Sequence, residues 1–203
     1  MSMRFKYLSL SVTIFVSMAI VNCLHGQSNN ITVKKERSDK SSGSYLRIII
    51  NHPQVNFDSK IDQYKYEYVS KKLPDSIKLY LIGQLFKFIT DTSICSNQVY
   101  GYPNFAYDGC YYKSAKSKQF SIGVESLFVI NRIAYFTFIN RISCYPVLFD
   151  TYSQEEVNFE FSALFEMKKH YKEWYDKCQL TGKINPDFRY LSSGKIRWWG
   201  SHL

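Results

Sequence analysis

The sequence predicts a mainly α fold: a small single-domain helical bundle or short stack of helical hairpins, with its loops stapled by disulfides. Three observations carry this. Apolar residues recur at spacings of three and four in 76–90 and again in 162–181, the period of a helix face. Residues 120–139 form an apolar stretch whose only strongly polar side chains are Glu125, Asn131 and Arg132, so other elements must cover it. Four cysteines, Cys95, Cys110, Cys144 and Cys178, remain once an N-terminal leader is set aside. The alternative is an α+β domain with a short hairpin at 124–139, turning about Asn131-Arg132.

The chain opens with a segment carrying Arg4 and Lys6, followed by an apolar run over 7–21. That is the charged and apolar order of a signal peptide, and the run is shorter than the roughly 20 residues of a stable membrane span. Cleavage is expected after Gly26, making 1–26 the signal peptide and placing the protein in the periplasm or outside the cell. The competing expectation is a lipid anchor on Cys23, although Asn22 stands where a small residue is wanted. With 1–26 removed, 177 of the 203 residues remain, enough for one domain. Arg4 and Lys6 leave with the leader, so 24 basic residues face 17 acidic ones, a net charge of +7. The basic residues are scattered, which suits solubility better than a specific nucleic-acid surface.

Residues 27–44 are rich in Ser, Lys and Asn and hold no aromatic residue, so they read as a flexible leader to a single mostly helical domain at 45–203. The run 45–50 has strand propensity and ends before Pro53, because a residue preceding proline is pushed out of helical geometry. Asp58 is placed to cap a helix to about Lys71, although Tyr64, Tyr66 and Tyr68 alternate as a strand would. Asp75 caps the next helix, in which Ile77, Leu81, Leu85 and Phe88 share a face. The apolar stretch is expected as a buried helix over 120–136, and the charges of Glu125 and Arg132 argue against its crossing a membrane. Ser153 and Glu156 have capping-box spacing while 157–161 alternates like a strand. A long helix follows from Ser162, with Leu164, Phe165, Tyr171, Trp174, Tyr175 and Cys178 on one face, ending at Gly182. The remainder, 183–203, is a tail that Leu191, Trp198 and Trp199 dock onto the domain.

An even cysteine count in an exported chain points to disulfides, and short separation favours Cys95–Cys110 and Cys144–Cys178. The first would close a loop of about 15 residues, worth about 3 kcal/mol on the chain-entropy model.

Catalytic signatures are weak. The histidines are scattered without zinc-ligand spacing, no glycine loop of phosphate-cradling form occurs, and no cofactor motif is present. Ser192 and Lys195 match a serine–lysine spacing but sit in a tail without the accompanying motifs. Two carboxylates for glycoside hydrolysis are available among Asp108, Glu125, Asp150 and Glu160, yet no spacing selects a pair. Glu125 needs an internal partner, and Arg132 and Arg141 are the expected ones.

The binding candidate is aromatic: Tyr100, Tyr102, Phe105, Tyr107, Tyr111 and Tyr112 lie among turn residues before and after Cys110, with Trp198 and Trp199 as a second patch. Such rings offer a large contact area at low entropic cost. The expectation is therefore a non-enzymatic exported protein that recognises a protein or glycan through an aromatic, disulfide-closed loop. The alternatives are a cell-envelope hydrolase using Glu125 or Asp150, and an immunity or inhibitor protein.

The Lys, Ile, Asn, Tyr, Phe and Ser bias, the leader ending Gly26-Gln27 and, more loosely, the region 95–146 resemble uncharacterised exported proteins of Bacteroidota. The resemblance implies export and no particular activity.

Overall fold

The computed structural model describes residues 31–62, 65–99, 115–138 and 142–201. The described residues are α+β: they form two three-stranded antiparallel sheets and four α-helices, rather than a helical bundle. The expected signal peptide at 1–26, Cys23, Cys110 and Arg141 lie outside the described residues.

The first sheet has the order β1 (Ile31–Arg37), β2 (Ser44–His52), β3 (Val55–Asp58). In β2 the side chains alternate: Leu46, Ile48 and Ile50 are buried while Arg47 and Ile49 face outward, the period-two pattern of a sheet with one covered face. On the outer face the Arg47 guanidinium joins all three strands. It donates twice to Asp58 at 3.1 and 2.7 Å and reaches Glu36 at 3.3 Å. Two expectations fall here. The supposed leader 27–44 contains β1, whose hydrophobic content is low because only Ile31 and Val33 at its start touch the core. Asp58, expected to cap a helix, ends β3, because its carboxylate is occupied by Arg47.

Helix α1 spans Tyr66–Lys72 and α2 spans Asp75–Leu85, with a 3-10 turn at Phe86–Phe88. The next helix, α3 (Ile122–Tyr135), is the centre of the molecule. All of its fourteen residues except Ala134 are buried, and it packs against α1, α2 and β2. A helix apolar on every side needs cover on every side, which is why the apolar stretch is helical and the hairpin at 124–139 does not form. Ser121 caps it, its hydroxyl accepting the Val124 amide at 3.3 Å. The first two amides of the helix are satisfied by the chain that precedes it: Ile122 N–H donates to Ser93 and Gly123 N–H to Asp91. Gly123 is required at that crossing, since a Cβ there would lie 2.2 Å from the Ile89 carbonyl oxygen.

The second sheet has the order β5 (Glu155–Glu156), β4 (Leu148–Asp150), β6 (Ile196–Trp198). Strands of two or three residues leave no local periodicity, so this sheet is assembled by tertiary packing. Between β5 and β6 runs α4 (Phe161–Thr181), whose buried face is Leu164, Met167, Tyr171, Trp174 and Cys178. Phe165, expected on that face, is exposed and stacks on Phe161 instead. Gly182 terminates α4 in the left-handed conformation, φ 65°, which glycine adopts without steric cost. Among the described residues no helix is long and apolar enough to cross a membrane.

The expected disulfides are overturned. Cys95 and Cys178 are buried free thiols, so neither Cys95–Cys110 nor Cys144–Cys178 forms. Each has a different role: the Cys95 thiol donates to Glu125 at 3.1 Å, and the Cys178 sulfur accepts the Asn185 amide at 3.2 Å. Both positions are determined by hydrogen bonding and burial rather than by a covalent bridge.

Candidate functional site

Residues 93–99 run alongside 118–122 and tie three parts of the fold together. Ile122 N–H donates to Ser93, Cys95 N–H to Phe120 at 2.9 Å, and Val99 N–H to Lys118 at 3.1 Å. On its other edge the same segment meets the start of β2: Ser44 N–H donates to Ile94, and Ser96 N–H to Ser44. Gly43 permits this approach, because a Cβ there would lie 2.8 Å from the Ser96 nitrogen. The antiparallel hydrogen bonds therefore hold the two ends of the aromatic segment together, the task expected of a disulfide. Beyond Lys118, Glu156 accepts the consecutive amides of Lys116 and Ser117 at 2.6 and 2.7 Å, fastening the returning end to β5.

Against this neck lies a cleft of about 540 Å³, within the size range of ligand sites. One wall is the β1–β2 turn, with Ser38, Asp39, Lys40 and Ser41; the opposite wall is Ser96, Asn97 and Gln98. Tyr45, Leu46, Ser59, Lys60 and Tyr66 complete the lining, and Glu125 of α3 is at the bottom.

Glu125 is 2 % exposed. Its Oε2 accepts the Leu46 amide at 3.1 Å and the Cys95 thiol at 3.1 Å, and Oε1 accepts the Asn97 side-chain amide in a short hydrogen bond. Three donors from two separate segments, β2 and 93–99, converge on one buried carboxylate, the condition under which burial of such a group is tolerated. Burial, followed by the adjacent carboxylate, pushes the Cys95 thiol well above its ordinary range, so this cysteine is a donor and not a nucleophile. Arg132, two turns along the helix, lies over the Phe128 ring at 4.6 Å. The expected arginine partners for Glu125 missed Leu46, Cys95 and Asn97, since hydrogen bonds spanning 79, 30 and 28 residues leave no signal in local spacing.

Tyr66 is held against the Phe57 ring at 5.5 Å. The Tyr45 hydroxyl donates to Glu36 at 2.8 Å, while burial raises the phenol above its ordinary range. Ser59 is engaged on both sides, donating to the Leu46 carbonyl and accepting from the Ile48 amide.

The sequence-predicted binding residues separate into two groups. Tyr100, Tyr102, Phe105, Tyr107, Tyr111 and Tyr112 lie outside the described residues. Trp198 is fully buried, its indole N–H donating to Tyr171 at 2.9 Å and its ring 5.8 Å from Phe128. It is a core residue of β6 and has no surface to present to a partner. Trp199 is half-buried and meets Phe149 edge-on at 4.8 Å.

The two hydrolase candidates are not brought into one cleft. Asp150 is absent from the lining; it accepts the Tyr152 and Ser153 amides and pairs with Lys195 at 3.7 Å, with the backbone donors chiefly holding its carboxyl below the usual range. Among the described residues no group of three His, Cys, Asp or Glu side chains is arranged to hold a metal ion. No family model, curated protein or solved structure matches this chain.

Proposed function

We propose that this is a non-enzymatic, exported binding domain that takes its ligand in the cleft between the β1–β2 turn and the neck of the aromatic segment. The observation that supports this most directly is the identity of the cleft wall. Ser96, Asn97 and Gln98 both line the cleft and belong to the segment that leads in sequence into the aromatic stretch. In sequence, Tyr100 follows Gln98 by two residues. A rigid cleft edge continuing into a run of tyrosines is the arrangement by which loops on a fixed scaffold carry recognition. Glu125 serves the wall rather than a reaction in this reading, since its donors fix Leu46, Cys95 and Asn97 relative to α3. Export rests on the charged and apolar order of 1–26.

The test is nuclear magnetic resonance titration of the uniformly labelled protein with short oligosaccharides and peptides. Amide shifts should cluster at 38–41, 45–46 and 96–98, and the added probe should be recovered unchanged. Shifts confined to α4 would refute the site. Probe cleavage that disappears in Glu125→Gln would refute the non-enzymatic reading.

A further inference from the structure

Resting on that cleft as the binding site, we propose that its ligand is an uncharged, hydroxyl-rich oligosaccharide. The chain as a whole carries a net charge of +9, and a surface of that kind would by itself favour anions. The cleft departs from that balance. Its lining holds two cationic side chains, Lys40 and Lys60, and two acidic ones, Asp39 and Glu125. Glu125 in turn already accepts from Leu46, Cys95 and Asn97, so a cationic ligand group would have to compete with three internal donors for its charge.

The neutral part of the lining has a consistent chemistry. Leu46 is its sole aliphatic side chain among the lining residues, too little apolar surface for an acyl chain or a hydrophobic peptide anchor. Hydroxyl and amide groups dominate instead, at Ser41, Ser96, Asn97 and Gln98. Each such group both donates and accepts, as every sugar hydroxyl does, whereas a charged ligand group can do only one. Tyr45, half-buried, adds ring surface to the cleft, with the buried Tyr66 behind it, suited to the weakly polar faces of a pyranose. A neutral polyol can exchange its water for these groups pair by pair, without leaving a desolvated charge behind.

The experiment is calorimetric titration of the full exported chain with three sets of probes. These are neutral tetrasaccharides of glucose, mannose, xylose and N-acetylglucosamine; uronate and sulfated tetrasaccharides; and tetrapeptides. At least one neutral tetrasaccharide should bind, with an affinity that changes less than about twofold between 50 and 300 mM NaCl, as expected where no ion pair forms. Tyr45→Ala should weaken it by about tenfold or more, about 1.4 kcal/mol, while Lys172→Gln, at an exposed position of α4 outside the cleft, should leave it within about threefold. A urea melt of each variant separates lost binding from lost folding. Binding restricted to charged oligosaccharides or peptides, yet still weakened by Tyr45→Ala, would overturn the ligand class and leave the cleft standing. Binding of no probe, or binding indifferent to the cleft variants, would overturn both.

Discussion

The Glu125 carboxylate accepts the backbone amide of Leu46, 79 residues away in the chain, at 3.1 Å. This one bond joins the first turn of α3 to the start of β2, and with Asn97 and Cys95 it ties the cleft lining to α3. Glu125→Leu should therefore destabilise the protein by about 1–3 kcal/mol, because the Leu46 amide is left buried without an acceptor. Glu125→Gln should cost less, since its amide oxygen can keep the Leu46 bond while Asn97 turns its own oxygen toward the new NH2. Urea unfolding of both variants checks the order; equal losses would show that charge, not acceptor geometry, matters at this position.

Gly123→Ala should destabilise by about 1–3 kcal/mol through overpacking, because the new methyl meets the Ile89 carbonyl at 2.2 Å. Gly182→Ala offers a contrast. Nothing lies within 4 Å of its Cβ position, and the cost comes from its φ of 65° alone, about 1 kcal/mol. Gly182→Asn should recover part of that loss and Gly123→Asn should recover none, as thermal melts would show.

Trp198, Tyr171 and Asn131 form a buried chain: the indole N–H donates to the Tyr171 hydroxyl, which donates to Asn131 Oδ1 at 2.8 Å. Asn131 in turn donates to Ser143 at 3.1 Å. Trp198→Ala should cost about 3–5 kcal/mol, as for other large buried side chains, so its effect will be on folding. Tyr171→Phe and Trp198→Phe should be non-additive by about 0.5–3 kcal/mol in a double-mutant cycle; strict additivity would refute the coupling.

Acid should loosen the first sheet. The Arg47 guanidinium holds the Asp58 carboxyl below its ordinary range, and the Tyr45 hydroxyl, then Arg47, do the same for Glu36. Groups whose carboxyls are depressed on folding contribute stability that is complete above the unfolded value, about pH 4, and is lost as the pH falls through the folded value. Stability measured from pH 7 down to pH 2 should fall in that acid window, and Asp58→Asn should flatten the fall. An identical profile for the variant would rule the pair out.

Cys95 and Cys178 should resist iodoacetamide in the folded protein and react fully in urea without any reductant, read by peptide mass. Either cysteine remaining unlabelled in urea would contradict its free thiol.

Helices were legible where a continuous pattern ran for three or more turns. The repeat in 76–90 became α2 with its 3-10 extension, the apolar stretch became α3, and the face from Leu164 to Cys178 became α4 with Gly182 at its end. The disulfide pairings were misread because parity and separation say nothing about sulfur environment; Cys95 faces a carboxylate and Cys178 a backbone amide. Trp198 was misread as a surface ring because a tail rich in glycine gives no hint that three of its residues complete a sheet.

The sequence by itself determined which segments must be hidden: the composition of 120–139 demanded burial, since that much contiguous apolar surface is costly in water, while the choice between helix and hairpin stayed open. It also determined that Glu125 would need partners inside. Only the tertiary structure decided who those partners are and where a cleft opens, because hydrogen bonds between segments many tens of residues apart depend on how elements pack and not on any local period. The two sheets belong to the same class: the strand propensity of 45–50 announced β2, but its partners and the strands of the second sheet are too short or too polar to show, and the sheets exist because β1, β2 and β3, and β4, β5 and β6, satisfy one another's backbone groups.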